Sequence, residues 1–368
     1  MKKLAIIGAN EAILSLINKA KELGYETHVF SWQCGDPGEE AADYFYPISI
    51  DKKDEILEKC REIGICGICS ITSDFASPTV SYVARGLGLP ANPERTDLVA
   101  RNKFEMRKAF LEYGGIYTPK FTEADLSFDL ADVADFRFPV IVKPTDRWSS
   151  KGITRVDRAE DLKNAVSVAV NESFNNKAII EEYMEGTEYS AECIVYRGDA
   201  KVLAFTKKTT TGNPHYIETG HEQPSDIPKD KQKEIIEIVK RALKALDITN
   251  GAAHAEFRVL ADGNIGFMEI GARMGGDCIG TDLTPISTGM DFVRMVIDVA
   301  CGNKPCFDVI TKPCPVAIRF IISEDDIAEF NNIEPDRIIK RSEFDTSFDS
   351  EVKDSSTRHG YYIIKTDA

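Results

Sequence analysis

The side chains best suited to chemistry gather in one stretch. It runs His254-Ala255-Glu256-Phe257-Arg258-Val259-Leu260, then Ala261-Asp262-Gly263-Asn264, then Ile265-Gly266-Phe267-Met268-Glu269-Ile270. Asp-Gly between two β-like runs marks a hairpin. Centring the turn on Asp262-Gly263 pairs Leu260 with Ile265 and Glu256 with Glu269, which sets two carboxylates opposite each other on one face. Like charges in that position destabilise a sheet, and without a cation one of them should take up a proton. A divalent ion removes the conflict. Mg²⁺, or Mn²⁺ in its place, suits one or two carboxylates together with waters and phosphate oxygens. The competing reading is a surface hairpin with solvated glutamates, and a slip of one residue would move them to opposite faces.

Gly271-Ala272-Arg273-Met274-Gly275-Gly276-Asp277 follows at once. It adds a guanidinium and a Gly-rich backbone expected to be flexible. Arginine suits planar, bidentate binding of phosphate or carboxylate oxygens. His254 shares the face of Glu256, either as a partner behind a metal site or as a packed core histidine.

Elsewhere, Lys143 ends the apolar run Phe138-Pro139-Val140-Ile141-Val142, as a half-buried point charge seeking an anion. The block Asp146 to Gly152, with Ser149, Ser150 and Gly152, is polar and turn-like. It is not a Walker A loop, because G-x-x-x-x-G-K-[ST] is missing. Gly8-Ala9-Asn10-Glu11-Ala12-Ile13 lacks the second and third glycines of the dinucleotide fingerprint. Cys66-Gly67-Ile68-Cys69 has no second ligand pair, so core cysteines are expected. No Ser-His-Asp or Cys-His arrangement stands out.

These groups must be held by a mixed α/β chain. The first 95 residues alternate strand and helix signals: Leu4 to Ile7, Ala12 to Leu23, Thr27 to Phe30, Asp54 to Ile63, Ile68 to Thr72 and Ser77 to Gly86. This is a Rossmann-like layer without a bound dinucleotide. A boundary falls near Pro90-Ala91-Asn92-Pro93. Beyond it come a helical pattern from Asp97 to Tyr113, a helix from Ala159 to Val170, a strand from Lys177 to Glu181 and a hairpin turning at Arg197-Gly198-Asp199. Thr209 to Pro228 is expected as a long functional loop, and Lys229 to Leu246 as an amphipathic helix. The remainder carries a helix from Asp291 to Cys301 and strands at Val316 to Ile322 and Tyr361 to Ile364.

The chain has 368 residues and a formal net charge of −15, which disfavours a nucleic-acid surface but not one nucleotide in a local cationic pocket. No apolar run reaches the roughly 18 residues of a membrane span, and the apolar stretch in Met1 to Gly8 is too short for a signal peptide. Nine scattered cysteines suit a reducing compartment, so a cytoplasmic location is expected, with neither nucleic acid nor membrane as partner.

Glu256, Glu269 and Arg273 together resemble the metal-and-phosphate end of ATP-grasp enzymes, whose usual pattern is E…E-x-N-x-R. Gly271 stands here where Asn is common, which leaves open whether one or two metal ions bind. The resemblance covers roughly residues 1 to 305. It implies a Rossmann-like pre-ATP-grasp domain over 1–95, a two-lobed ATP-grasp domain over 96–305 with its small lobe at about 136–187, and a β-containing C-terminal extension over 306–368. It also implies that Lys103 and Lys143 contact the nucleotide, and that the loop with Ser149, Ser150 and Gly152 covers the phosphates. The connector Glu181-Glu182-Tyr183-Met184 would meet the adenine edge, and Glu188 the ribose hydroxyls. Glu-Thr-Gly-His at 218–221 resembles the amino-acid-ligase and carbamoyl-phosphate-synthase-like branch; Glu218 and His221 would border a substrate, unless the loop is simply solvated. The tail Ser355 to Tyr361 resembles the same branch.

The activity so implied is ATP-dependent ligation of a small-molecule carboxylate to an amine through an acyl phosphate, releasing ADP and phosphate. Glu269, Lys143 and Arg273 would carry the catalysis. Bicarbonate activation, as in carboxylases and carbamoyl-phosphate-type enzymes, is one alternative; an ATP-binding module without turnover is another. A homodimer is the family's common habit.

Overall fold

The computed structural model describes residues 1–147, 151–213, 216–348 and 352–367. The chain opens with a four-stranded parallel sheet in the order Tyr44–Tyr46, Tyr25–Phe30, Lys2–Ile7, Gly67–Cys69. Leu4, Ala5, Ile6 and Ile7 are all buried, as expected of a parallel strand covered on both faces. Gly8, with φ of +99°, turns the chain out of the first strand. Helices Leu14–Glu22, Lys53–Ile63 and Ser77–Gly86 flank the sheet. Cys69 is buried and Cys66 donates to the Lys3 carbonyl; all nine cysteines are free.

The helical stretch expected from Asp97 to Tyr113 is two helices, Glu94–Val99 and Lys103–Tyr113. The Asn102 side chain accepts from the Glu105 N–H at 3.0 Å and caps the second one. That break decides the place of Lys103. It begins a helix, and its own N–H donates to the Thr145 carbonyl at 2.7 Å. Beyond it a small antiparallel sheet runs in the order Phe121–Ala124, Ala178–Glu182, Val140–Pro144, Thr154–Val156, backed by the helix Leu162–Glu172.

An eight-stranded sheet carries most of the site. Its order is Ile265–Gly271, Gly251–Leu260, Gly186–Tyr196, Asp199–Thr210, Glu218–Gln223, Val316–Ile321, Gly360–Lys365, Ile338–Arg341, with every pairing antiparallel. The helix Lys229–Ala245 packs on one face through Ile235, Val239 and Leu243. The expected loop from Thr209 to Pro228 is corrected here, because Glu218–Gln223 is a strand within the sheet. Alternation was the missed signal: His221 and Gln223 face inward and are buried, with Glu222 partly exposed between them. Three strands from beyond residue 306 continue the same sheet.

The hairpin register also differs near its turn. Leu260 donates to the Asn264 carbonyl, and Val259, not Leu260, pairs with Ile265. A bulge at Met268 absorbs the one-residue difference, so Glu256 still pairs with Glu269.

Candidate active site

Glu256 and Glu269 stand directly opposite each other, but a metal is not required to make that tolerable. The chain supplies its own cations. Lys208, from the strand Asp199–Thr210, places Nζ 2.6 Å from Glu256 Oε1 and 3.0 Å from Glu218 Oε1. Lys103 places Nζ 2.9 Å from Glu269 Oε2. Burial opposes the charge on Glu256, but Lys208 and His254 outweigh it and hold the carboxyl well below its usual range. Burial likewise opposes the charge on Lys208, and Glu256, Glu218 and Glu188 raise its pKa well above the usual value.

His254 is buried and bridges two carboxylates. Nδ1 bonds Glu192 and Nε2 lies 3.0 Å from Glu256 Oε1. Burial would lower its pKa, but Glu192 and Glu256 raise it to about 9. It is therefore both a core histidine and a support for Glu256. The other Glu192 oxygen accepts from the Gly275 N–H at 2.9 Å. A Cβ on Gly275 would fall 2.5 Å from Glu192 Oε1 and 2.8 Å from His254 Nδ1. Glycine serves here for close approach to a buried pair, not for the flexibility expected of this segment.

Lys143, at the end of its strand, meets Glu181 Oε1 at 2.5 Å, and Arg107 meets Glu181 Oε2 at 2.9 Å. Burial opposes the charge on Glu181, but Arg107 and Lys143 together hold its pKa at about 2. The Lys143 pKa is lowered, chiefly by burial, with the Arg107 and Lys103 charges adding to the effect. Arg107 Nη2 also reaches the Met268 carbonyl, fixing the bulge.

One cleft is lined by Lys103, Lys143, Glu181, Glu182, Tyr183, Met184, Glu188, Glu218, Glu256, Glu269 and Arg273. Glu182 is held by Arg137 at 2.8 Å, and Glu188 by Arg258 at 3.1 Å. Arg155 and Arg258 both lie over the Tyr183 ring, 4.8 and 5.0 Å from its centre. Gly152, with φ of +69°, sits against Pro144 and Glu172, while Lys151 and Ile153 line the cleft. Ser149 and Ser150 lie outside the described residues.

Arg273 lines the cleft, but its Nε and Nη2 are held 3.0 and 2.8 Å from Asp74 Oδ2 in the N-terminal layer. His221 does not border the cleft. It is fully buried, packs edge-on to Phe320, and Nε2 lies 3.6 Å from Asp277 Oδ2. Arg358, from the tail, meets the two Asp277 oxygens at 3.0 and 2.6 Å. Sequence reasoning missed Lys208, Arg107, Arg155, Asp74 and Arg358. It also missed Arg258, although its place two residues beyond Glu256 on one strand face was a signal that could have found it. Asp74 left no local signal.

A family model described as an ATP-grasp domain matches residues 136–282. That segment is similar to an ATP-grasp domain. That match spans Lys143, Glu181, Glu256, Glu269 and Arg273 together. The chain is 25% identical over 295 residues to alanine–anticapsin ligase from Bacillus subtilis, covering 72% of this chain but 62% of that ligase. It therefore spans under two thirds of that relative's length. Among solved structures, L-amino acid ligase from Bacillus licheniformis superposes with a TM-score of 0.83 at 24% identity, covering 100% of this chain and 94% of that one. Phosphoribosylglycinamide synthetase from Anaerococcus prevotii gives 0.78 at 23% identity, with 100% and 94% covered. These likenesses show the fold.

The cleft fits a metal-bound polyphosphate on its own chemistry. The opposed Glu256 and Glu269 offer oxygen ligands of the kind a hard cation takes, although Lys208 and Lys103 already neutralise them, and Lys143 and Arg273 line the same cleft. Among the described residues, Arg258 Nε and Arg147 Nε are buried without a hydrogen-bond partner. Those unspent donors suit an anionic ligand. No described helix is long and apolar enough to cross a membrane.

Proposed function

We propose that this chain is an ATP-dependent carboxylate–amine ligase that activates a small carboxylate as an acyl phosphate and releases ADP and phosphate. One observation carries the reading: the opposed Glu256 and Glu269 share a cleft with Lys143 and Arg273. A free carboxylate is a poor acyl donor, since oxide would have to leave. Transfer of the γ-phosphoryl group supplies a good leaving group, after which the amine attacks the acyl carbon.

Glu256 and Glu269 would hold Mg²⁺, which neutralises phosphate charge and orients the phosphates. Lys143 and Lys103 would supply positive charge to the same phosphates, exchanging part of their present contact with Glu181 and Glu269. Arg273, fixed by Asp74, would face the transferring phosphoryl group or the carboxylate. Tyr183, Met184 and the Glu181–Glu182 backbone would meet the base, and Glu188 the ribose hydroxyls. Glu218, which lines the cleft beside Lys208, would receive a cationic amine. His221 acts at most from behind it, through Asp277. No protein nucleophile is needed.

ADP release across a panel of carboxylates and amines, with bicarbonate as a separate arm, tests this reading. Amide formation with stoichiometric ADP is expected. Turnover only with bicarbonate would replace the proposal with a carboxyphosphate chemistry. ATP binding without ADP under every pair would leave a non-catalytic module.

A further inference from the structure

The tail crosses the site at two points. Ser355 Oγ donates to Glu218 Oε2 at 2.7 Å, and three residues on, the Arg358 guanidinium grips both oxygens of Asp277. Arg358 is itself held rigidly. Its Nε donates to the Ser355 carbonyl at 2.8 Å, and its plane lies 3.6 Å from the centre of the Phe320 ring. Planar guanidinium is the group that can stack and make a bidentate contact at once.

What Arg358 grips is a costly piece of backbone. Asp277 and Cys278 have φ of +50° and +60°, two successive non-glycine residues in the left-handed region, leading into the π-helical turn Ile279–Leu283. Such conformations persist only where surrounding contacts over-determine them. On the upstream side the same segment holds Gly275 against Glu192 and His254, and carries Arg273 into the cleft. Released from Arg358, Asp277 would keep, among the described residues, His221 alone as a side-chain partner, at 3.6 Å and without hydrogen-bond geometry.

We propose that Arg358 is a positioning residue for the ligation reaction: by clamping Asp277 it sets the strained turn that stacks Gly275 on the Glu192–His254–Glu256 chain and anchors the backbone that carries Arg273, whose guanidinium Asp74 holds. Together with Ser355 on Glu218, it makes the C-terminal strand pair part of the active site. The proposal rests on the ligase reading for its kinetic consequence, though the clamp itself can be read without turnover.

The test uses the full chain with Arg358→Ala and Arg358→Lys. With Arg358→Ala, kcat for ADP release should fall at least 10-fold while KM for MgATP stays within about 2-fold. Millimolar guanidinium should restore several-fold of the lost rate by refilling the space between Asp277 and Phe320. Arg358→Lys should recover less than guanidinium does, because an ammonium cannot bind both oxygens in plane. Amide hydrogen exchange should rise at Met274 to Cys278 and stay unchanged in the strands Gly251–Leu260 and Ile265–Gly271. Unchanged kcat with unchanged exchange at Met274 to Cys278 would overturn the proposal. So would a loss of rate with no guanidinium rescue and exchange raised throughout the sheet, the mark of a general folding defect. If the wild-type chain turns over no substrate, the ligase reading fails on its own, and the exchange result still decides whether Arg358 sets the turn.

Discussion

Lys208 Nζ lies 2.6 Å from Glu256 Oε1, and this contact makes the paired glutamates of the hairpin compatible with a folded sheet. The lysine comes from a strand two places away in the sheet, with Gly186–Tyr196 between. It also serves Glu218 at 3.0 Å and Glu188 at 3.9 Å. Lys208→Met should therefore leave three half-buried carboxylates without their buried cation and destabilise the protein by up to about 3–5 kcal/mol at pH 7. The loss should shrink at pH 5, where the unpaired acids can take up protons. Urea unfolding at the two pH values checks this; an equal loss at both would make Lys208 a packing residue.

Glu256→Gln and Glu269→Gln should each lower kcat for ADP formation about 100-fold or more, as loss of charge stabilisation in a dry site does. Both should raise the Mg²⁺ concentration needed for half-maximal rate. The changes should act through charge, because glutamine keeps the volume. Because each variant also loses a cation contact, to Lys208 or to Lys103, rates are compared below each variant's own melting temperature, which separates this from unfolding.

His254 gives stability a defined alkaline limb. Its pKa rises from 6.5 unfolded to about 9 folded, so its contribution is fully present below about pH 6.5 and is lost as pH climbs through 9. The contribution is about 3 kcal/mol at most. Glu256 is shifted downward and acts only on the acid side, so it does not blur this window. Denaturant midpoints for wild type and His254→Asn between pH 6.5 and 9 should converge as pH rises. Parallel curves would remove His254 as the cause.

Gly275→Ala places a Cβ where Glu192 Oε1 and His254 Nδ1 already stand. Overpacking of this kind costs about 1–3 kcal/mol. Activity should fall further than stability alone explains, because His254 supports Glu256. Gly276→Ala, where a Cβ meets nothing within 4 Å, is the matched control and should be near neutral. Thermal melts and ADP release on the two variants give the comparison.

Local chemistry in the sequence determined a good deal about this protein. The run Leu4–Ile7 reads as a buried strand because its apolar side chains are contiguous, and Asp262-Gly263 reads as a turn because its backbone chemistry is local. The pairing of Glu256 with Glu269 follows from that turn, although a bulge at Met268 was needed to make it so. The order of Lys143, the Glu181 connector, Glu256, Glu269 and Arg273 pointed to ATP-grasp. Tertiary structure alone decided which cation answers which acid. Lys208 lies 48 residues from Glu256, Asp74 199 from Arg273, and Arg358 81 from Asp277. Neither periodicity nor propensity encodes such meetings, because they depend on how sheets and lobes pack after each element has formed. The same reason hid the strand Glu218–Gln223: its backbone becomes a strand only where Asp199–Thr210 and Val316–Ile321 stand on either side to bond it.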